Sequence, residues 1–202
     1  TAYGVPFQAE TGIKVLQDGS GPSEGAIQAQ FESGKPTWDI VDADPFSAQT
    51  LGKKGMMEPI DYAVVDKAKT REGFGWEYAA SSYFYSYIIA YDAKKFGDNP
   101  PKSMADFFDV EKFPGMRGMY KWGAGMWEAL LLGDGVAPAD LYPLDIERAH
   151  KKLAAFKVNV VAFWGGGAES QTLLMNGDAS MALIWSTRAK LLEADSGGDI
   201  KF

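Results

Sequence analysis

The stretch Asn176-Gly177-Asp178-Ala179-Ser180-Met181-Ala182-Leu183-Ile184-Trp185-Ser186-Thr187-Arg188 constrains the fold more than any other part of the chain. Asn176-Gly177 reads as a helix end, because glycine takes the left-handed conformation that closes helices at no steric cost. Ser180 to Ile184 reads as a strand. Its apolar run is short and does not alternate, as in strands covered on both faces. A new helix follows, capped by Ser186 or Thr187. Trp185 therefore leaves the carboxyl end of a buried strand where a helix amino terminus opens. In open α/β sheets, that edge is where ligands bind. An aromatic plate, two hydroxyls and an arginine within four residues suit a small-molecule pocket better than a catalytic centre.

The rest of the chain repeats this rhythm. Tyr3 to Thr11 reads as a short helix ending at Gly12, and Ile13 to Leu16 as a strand. Ser23 caps a helix that stops at Gly34. Trp38 to Val41 is a strand, and Phe46 to Lys54 a helix ended by Gly55. Such alternation predicts a parallel α/β sheet. Ala79 to Tyr91, rich in Ser, Tyr, Phe and Ile, has high β-propensity and is long enough to join two lobes. Beyond it, Ser103 and Asp106 have capping-box spacing. Phe113-Pro114-Gly115 is a turn, Met116 to Trp122 a strand and Met126 to Leu132 a helix. Asp145 caps an amphipathic helix bearing Ile146, Ala149, Leu153 and Phe156 on one face. Val158 to Phe163 is a strand, and Ser170 starts a helix ending at Asn176. The simplest reading is two α/β lobes, residues 1–88 and 89–202. One doubly wound domain with long insertions is the alternative.

Composition narrows the function. The net charge of −7 opposes binding to nucleic acid or to anionic lipid. There is no apolar run of about 18 residues to span a membrane. The chain opens at Thr1-Ala2-Tyr3 with neither Met nor signal peptide, as a mature or trimmed product would. Without cysteine there is no disulfide, thiolate nucleophile or thiolate metal site. The one histidine, His150, lies in the amphipathic helix beside Lys151 and Lys152, where a surface role fits better than a catalytic one. No nucleophile–base pair can be assembled, so no enzyme activity and no cofactor are expected. Asp42 and Asp44 alone are a weak cation signal. Gly165-Gly166-Gly167 lacks the lysine of a phosphate loop and the spacing of a dinucleotide fingerprint, so it reads as a flexible turn. Aromatics are abundant: Trp 6, Tyr 9 and Phe 12. Tyr83, Tyr85 and Tyr87 share one strand face. Trp122, Trp164 and Trp185 follow strands at turns, where aromatic plates attract ammonium groups.

The chain resembles the bacterial extracellular solute-binding proteins of the spermidine/putrescine-binding type. The resemblance rests on Glu10-Thr11-Gly12-Ile13-Lys14-Val15, Trp38-Asp39-Ile40-Val41 and Lys54-Gly55-Met56-Met57-Glu58-Pro59-Ile60-Asp61. Phe113-Pro114-Gly115-Met116-Arg117-Gly118 and Met175 through Trp185 complete it. It implies a two-lobed, type II periplasmic-binding-protein fold, present here as an incomplete fragment. It also implies a periplasmic monomer whose lobes close on a small-molecule ligand and deliver it to a membrane ABC permease. The family's first strand would precede Thr1, and its return to the first lobe would follow Phe202. By this resemblance Asp44, Phe46 and Trp185 fall on ligand-contacting positions, and Tyr85, Trp122, Ser170 and Arg188 join them as candidates. Polyamine receptors carry two acids where this chain has Trp122 and Gly125, and a small residue where it has Arg188. A buried charge needs an opposite partner, and arginine pairs well with carboxylates. The exchange favours a carboxylate ligand, such as an ω-amino acid with its ammonium near Asp44 and the tryptophans. A polyamine receptor, an enzyme on the same fold and an interaction protein remain as alternatives. A surface salt bridge of Arg188 is the competing reading of that residue.

Overall fold

Met181–Trp185 does form a strand with both faces covered, and the strongest part of the fold is built around it. The structure is a computed structural model that describes residues 3–19, 23–81 and 83–202, so Thr1 and Ala2 lie outside it. The chain divides into two compact units, Thr1–Phe84 and Tyr85–Phe202.

The second unit holds the sheet. Its strands are β1 (Tyr87–Asp92), β2 (Arg117–Tyr120), β3 (Val160–Trp164), β4 (Met181–Trp185) and β5 (Ile200–Lys201), in the order β3-β2-β4-β1-β5. β2 runs parallel to β3 and β4. β1 runs antiparallel to β4 and β5, pairing Tyr87 with Trp185 and Tyr91 with Met181. The expected all-parallel sheet is therefore a mixed one. Alternation of strands and helices does not report the direction of a strand that enters from outside the repeat. This pairing also places all of β1 in the second unit. The boundary falls at Phe84/Tyr85, whereas the sequence reading cut β1 at 88/89.

Successive β4 side chains point to opposite faces. Met181 and Leu183 enter a cluster with Phe107, Phe113, Leu130 and Phe156. Ala182 and Ile184 enter another with Trp164, Leu174 and Leu192. The first is covered by α4 (Ala93–Phe96), α5 (Met104–Phe108), α6 (Met126–Gly133) and α7 (Ile146–Phe156). The second is covered by α8 (Gly167–Met175) and α9 (Ser186–Asp195). Each fully buried apolar side chain contributes about 1.5–3 kcal/mol.

Local signals start these helices. Ser103 Oγ accepts from Asp106 N–H, and the Asp106 carboxylate accepts from Lys102 N–H and Ser103 Oγ–H. Lys112 adds an ion pair at 2.9 Å, and its hydrogen bond leads in holding the Asp106 carboxyl at a pKa of about 2. Asp145 caps α7 through Arg148 N–H. Phe113-Pro114-Gly115 has a purpose beyond turning the chain. Arg117 is wholly buried, and its Nε, Nη1 and Nη2 donate to the carbonyls of Phe107, Gly115 and Phe113 at 2.7, 2.6 and 2.6 Å. Burial pushes its pKa down to about 10.

The first unit has α1 (Gly4–Thr11), α2 (Glu24–Glu32) and α3 (Pro45–Lys53); Ile27 of α2 and Ala48 and Leu51 of α3 are buried, and α1 has no buried residue. Ser23 caps α2, and Gly12 ends α1 with φ 73°. The strands expected at Ile13–Leu16 and Trp38–Val41 are absent. A strand persists only beside a paired neighbour. Among the described residues of this unit, backbone pairing of that kind is limited to the single bridge Gly75–Ala80. Val15 N–H is instead satisfied by Gln8 Oε1, and Ile40 stays 91% exposed.

Candidate functional site

The carboxyl ends of β2, β3 and β4 and the first residues of β1 bring five aromatic side chains together. Trp185 stands edge-on to Tyr85, Tyr120 and Trp164, with centroids 5.9, 5.7 and 5.2 Å away. Tyr87 contacts Tyr85 and Tyr120 at 5.9 and 5.6 Å, and Tyr120 meets Trp164 at 4.6 Å. The group is graded in exposure. Trp164 is fully buried and donates Nε1–H to Leu183 O at 3.1 Å, so it is a core residue and not a ligand plate. Tyr85 is exposed and Trp185 half-buried. The indole Nε1 of Trp185 is buried and has no hydrogen-bond partner. A buried N–H without an acceptor costs about 1–3 kcal/mol, so it marks a place where an acceptor is wanted.

α9 starts directly after Trp185, but neither hydroxyl caps it. Ser186 is its first residue. Its N–H donates to Ser86 O at 2.8 Å, and its Oγ accepts from Ser86 N–H at 3.1 Å. The hydroxyl thus extends the β1–β4 pairing. The first-turn amides of Thr187 and Arg188 have no acceptor within their own helix, and that end favours anions.

Arg188 lies half-buried in this first turn. Its Nη1 donates to Gln171 Oε1 at 3.2 Å. Among the described residues it forms no ion pair, so the surface salt bridge that competed for it is not formed. Its side chain crosses Gly167, where an added Cβ would lie 2.4 Å from Nε and 3.0 Å from Cζ. The glycine triplet is therefore more than a flexible turn. Gly167 has no side chain because Arg188 occupies that space.

Ser170 is not brought to the group. α8 begins at Gly167, capped by Gly166, so Ser170 lies in its second turn, fully buried, and donates to Gly167 O at 2.7 Å. Trp122 is 56% exposed, outside the aromatic contacts above, with Lys121 Nζ 5.0 Å from its ring centroid. Gly125, at φ 75°, leaves room for the Tyr87 ring, which an added Cβ would meet at 2.4 Å. In the first unit, Asp44 is exposed at the N-cap of α3 with no side-chain cap bond, and Phe46 is 81% exposed in the first turn. His150 is exposed and stacks on Trp127 at 4.8 Å. A shallow depression of about 740 Å³ lies between residues 93–99 and 112–115. It sits at the amino end of β4, where Asp92 N–H meets Ser180 O, away from the aromatic group.

The sequence suggests Trp164 only as an aromatic plate at a turn and Tyr87 only as part of a strand face, and it does not single out Tyr120 as a site residue. The signal that joins them is their common position at or just past the ends of adjacent strands. Fold and geometry define an α/β protein of the type II periplasmic-binding class. The family model for bacterial extracellular solute-binding proteins matches residues 2–202, and the chain belongs to that family. Membership places it outside the cytoplasm, and no described helix is long and apolar enough to cross a membrane.

A γ-aminobutyric acid-binding protein of Pseudomonas aeruginosa is 32% identical over 193 residues, covering 93% of this chain and 54% of that one. A solved structure titled Atu4243-GABA receptor is 41% identical with a TM-score of 0.88, covering 99% of this chain and 62% of that one. An ABC transporter substrate-binding protein from Bradyrhizobium japonicum is 37% identical with a TM-score of 0.89, covering 98% and 62%. The chain thus spans 54–62% of the length of these relatives. By their names the first two are proteins that bind γ-aminobutyric acid, and the third is a transporter substrate-binding protein.

Proposed function

We infer that the protein is a solute receptor of an ABC importer that takes a small amino-acid-like ligand, an ω-amino acid or close analogue, and is not an enzyme. The observation that carries this reading is Arg188. A half-buried guanidinium without a carboxylate partner among the described residues stands in the first turn of α9, three residues after Trp185, whose buried indole N–H is unpartnered. Guanidinium, indole N–H and free helix amides are all donors, and together they suit a carboxylate. The ligand's ammonium end then lies against the rings of exposed Tyr85 and half-buried Trp185, which attract cations. The polyamine alternative has the opposite needs, and a guanidinium would repel an ammonium there. The relatives named for γ-aminobutyric acid favour the same class. The partners on this reading are the small ligand and the importer's membrane permease, with the receptor acting as a monomer and binding no nucleic acid. A thermal-shift panel on the full-length protein tests it. ω-Amino acids of three to six carbons should raise the melting temperature, and putrescine and spermidine should not. Stabilisation by the polyamines alone would overturn the reading.

A further inference from the structure

A second cation, Lys121, lies over the same glycine triplet as Arg188. Lys121 directly follows β2, and its N–H donates to Trp164 O at 3.0 Å, which fixes its backbone at the strand ends. Its side chain crosses Gly165 as that of Arg188 crosses Gly167. An added Cβ at Gly165 would lie 2.6 Å from Lys121 Nζ. The two glycines flank a single residue, so their Cα atoms are at most about 7 Å apart, and the two cationic groups at most about 15 Å. Among the described residues, neither cation has a carboxylate within 4.0 Å. Glu169, two residues beyond Gly167, accepts from Gly165 N–H through Oε2 at 2.8 Å.

With Arg188 taken by one carboxylate, a second acidic group on the ligand would give the exposed Lys121 ammonium an anionic partner of its own. The ammonium of Lys121 also stands over the Trp122 ring, the plate that the sequence suggested for a ligand's ammonium. The residues around Lys121 are thus arranged for an incoming anion and against an incoming cation. We propose that Lys121 is a second anion contact and determines specificity, so that the preferred ligand is an amino acid with two acidic groups. This rests on the reading of Arg188 as the first carboxylate contact.

The test is calorimetry on the full-length protein. The probes are straight-chain ω-amino acids and their α-carboxylated counterparts, for example 4-aminobutanoate against glutamate. At least one diacid should bind about tenfold or more tightly than its monoacid counterpart, the lower range for a hydrogen bond to a charged group. Lys121→Gln should remove that advantage and change monoacid affinity less than threefold, and Lys121→Arg should restore it. No diacid preferred over its counterpart, or equal effects of Lys121→Gln on both classes, would overturn the proposal. Arg188→Gln separates the two readings. If it leaves monoacid affinity unchanged, the Arg188 reading itself has failed, whatever Lys121 does.

Discussion

Arg117→Lys looks conservative and should be costly. In the structure the guanidinium meets three carbonyls through three different nitrogens, from Phe107, Gly115 and Phe113. A single ammonium nitrogen cannot occupy all three places, because lysine is a point charge where arginine is a planar fork. At least two carbonyls lose their donor, and those of Phe107 and Phe113 are in buried contacts. Each buried group left unsatisfied costs about 1–3 kcal/mol. The positive charge stays buried, so there is no compensating relief from desolvation. The expected loss is about 2–4 kcal/mol, at the low to middle end of that range for two carbonyls. Urea unfolding of the full-length protein, followed by circular dichroism, measures it through a lower midpoint at unchanged slope. Ligand affinity of the folded variant should change less than threefold, since Arg117 lies at the opposite end of β2 from Tyr120. A midpoint shift equivalent to less than about 0.5 kcal/mol, the size of an ordinary surface substitution, would refute the argument.

Three further outcomes follow from the same geometry. The folded pKa of Asp106, about 2, lies below its unfolded value, so its stabilisation is full above about pH 4 and is lost as pH falls toward 2. Asp106→Asn should therefore cost about 1–2 kcal/mol at pH 7 and much less at pH 2.5, by urea unfolding at both pH values. Gly167→Ala places a methyl where Arg188 Nε now lies, so calorimetry should show carboxylate affinity down about tenfold or more. Trp185→Phe keeps an aromatic ring but removes the buried N–H, so affinity should fall about tenfold while thermal stability holds or rises slightly.

What the sequence disclosed was mostly local. Ser23, Ser103 and Asp145 cap their helices through amides three residues on, a range within which sequence and structure correspond closely. The unbroken apolar run Met181–Ile184 revealed a strand buried on both faces. The direction of β1 was hidden, because pairing Tyr87 with Trp185 joins residues almost a hundred positions apart. The same distance hid the role of Ser186, whose hydroxyl serves Ser86 and not its own helix. Ser170 was misplaced because α8 starts on glycines, with no side-chain cap to announce it. Nothing local marks Lys121 in the sequence, because Gly165, the surface it crosses, lies over forty positions away.

The most direct test of the account is calorimetric titration of the full-length protein and its Arg188→Gln variant with a carboxylate ligand selected by thermal shift. Removing one charged hydrogen-bonding partner should weaken binding about 10- to 150-fold, with putrescine binding unchanged or slightly improved. Equal affinity of the two proteins for the carboxylate ligand would contradict the central claim that Arg188 receives a carboxylate at the start of α9.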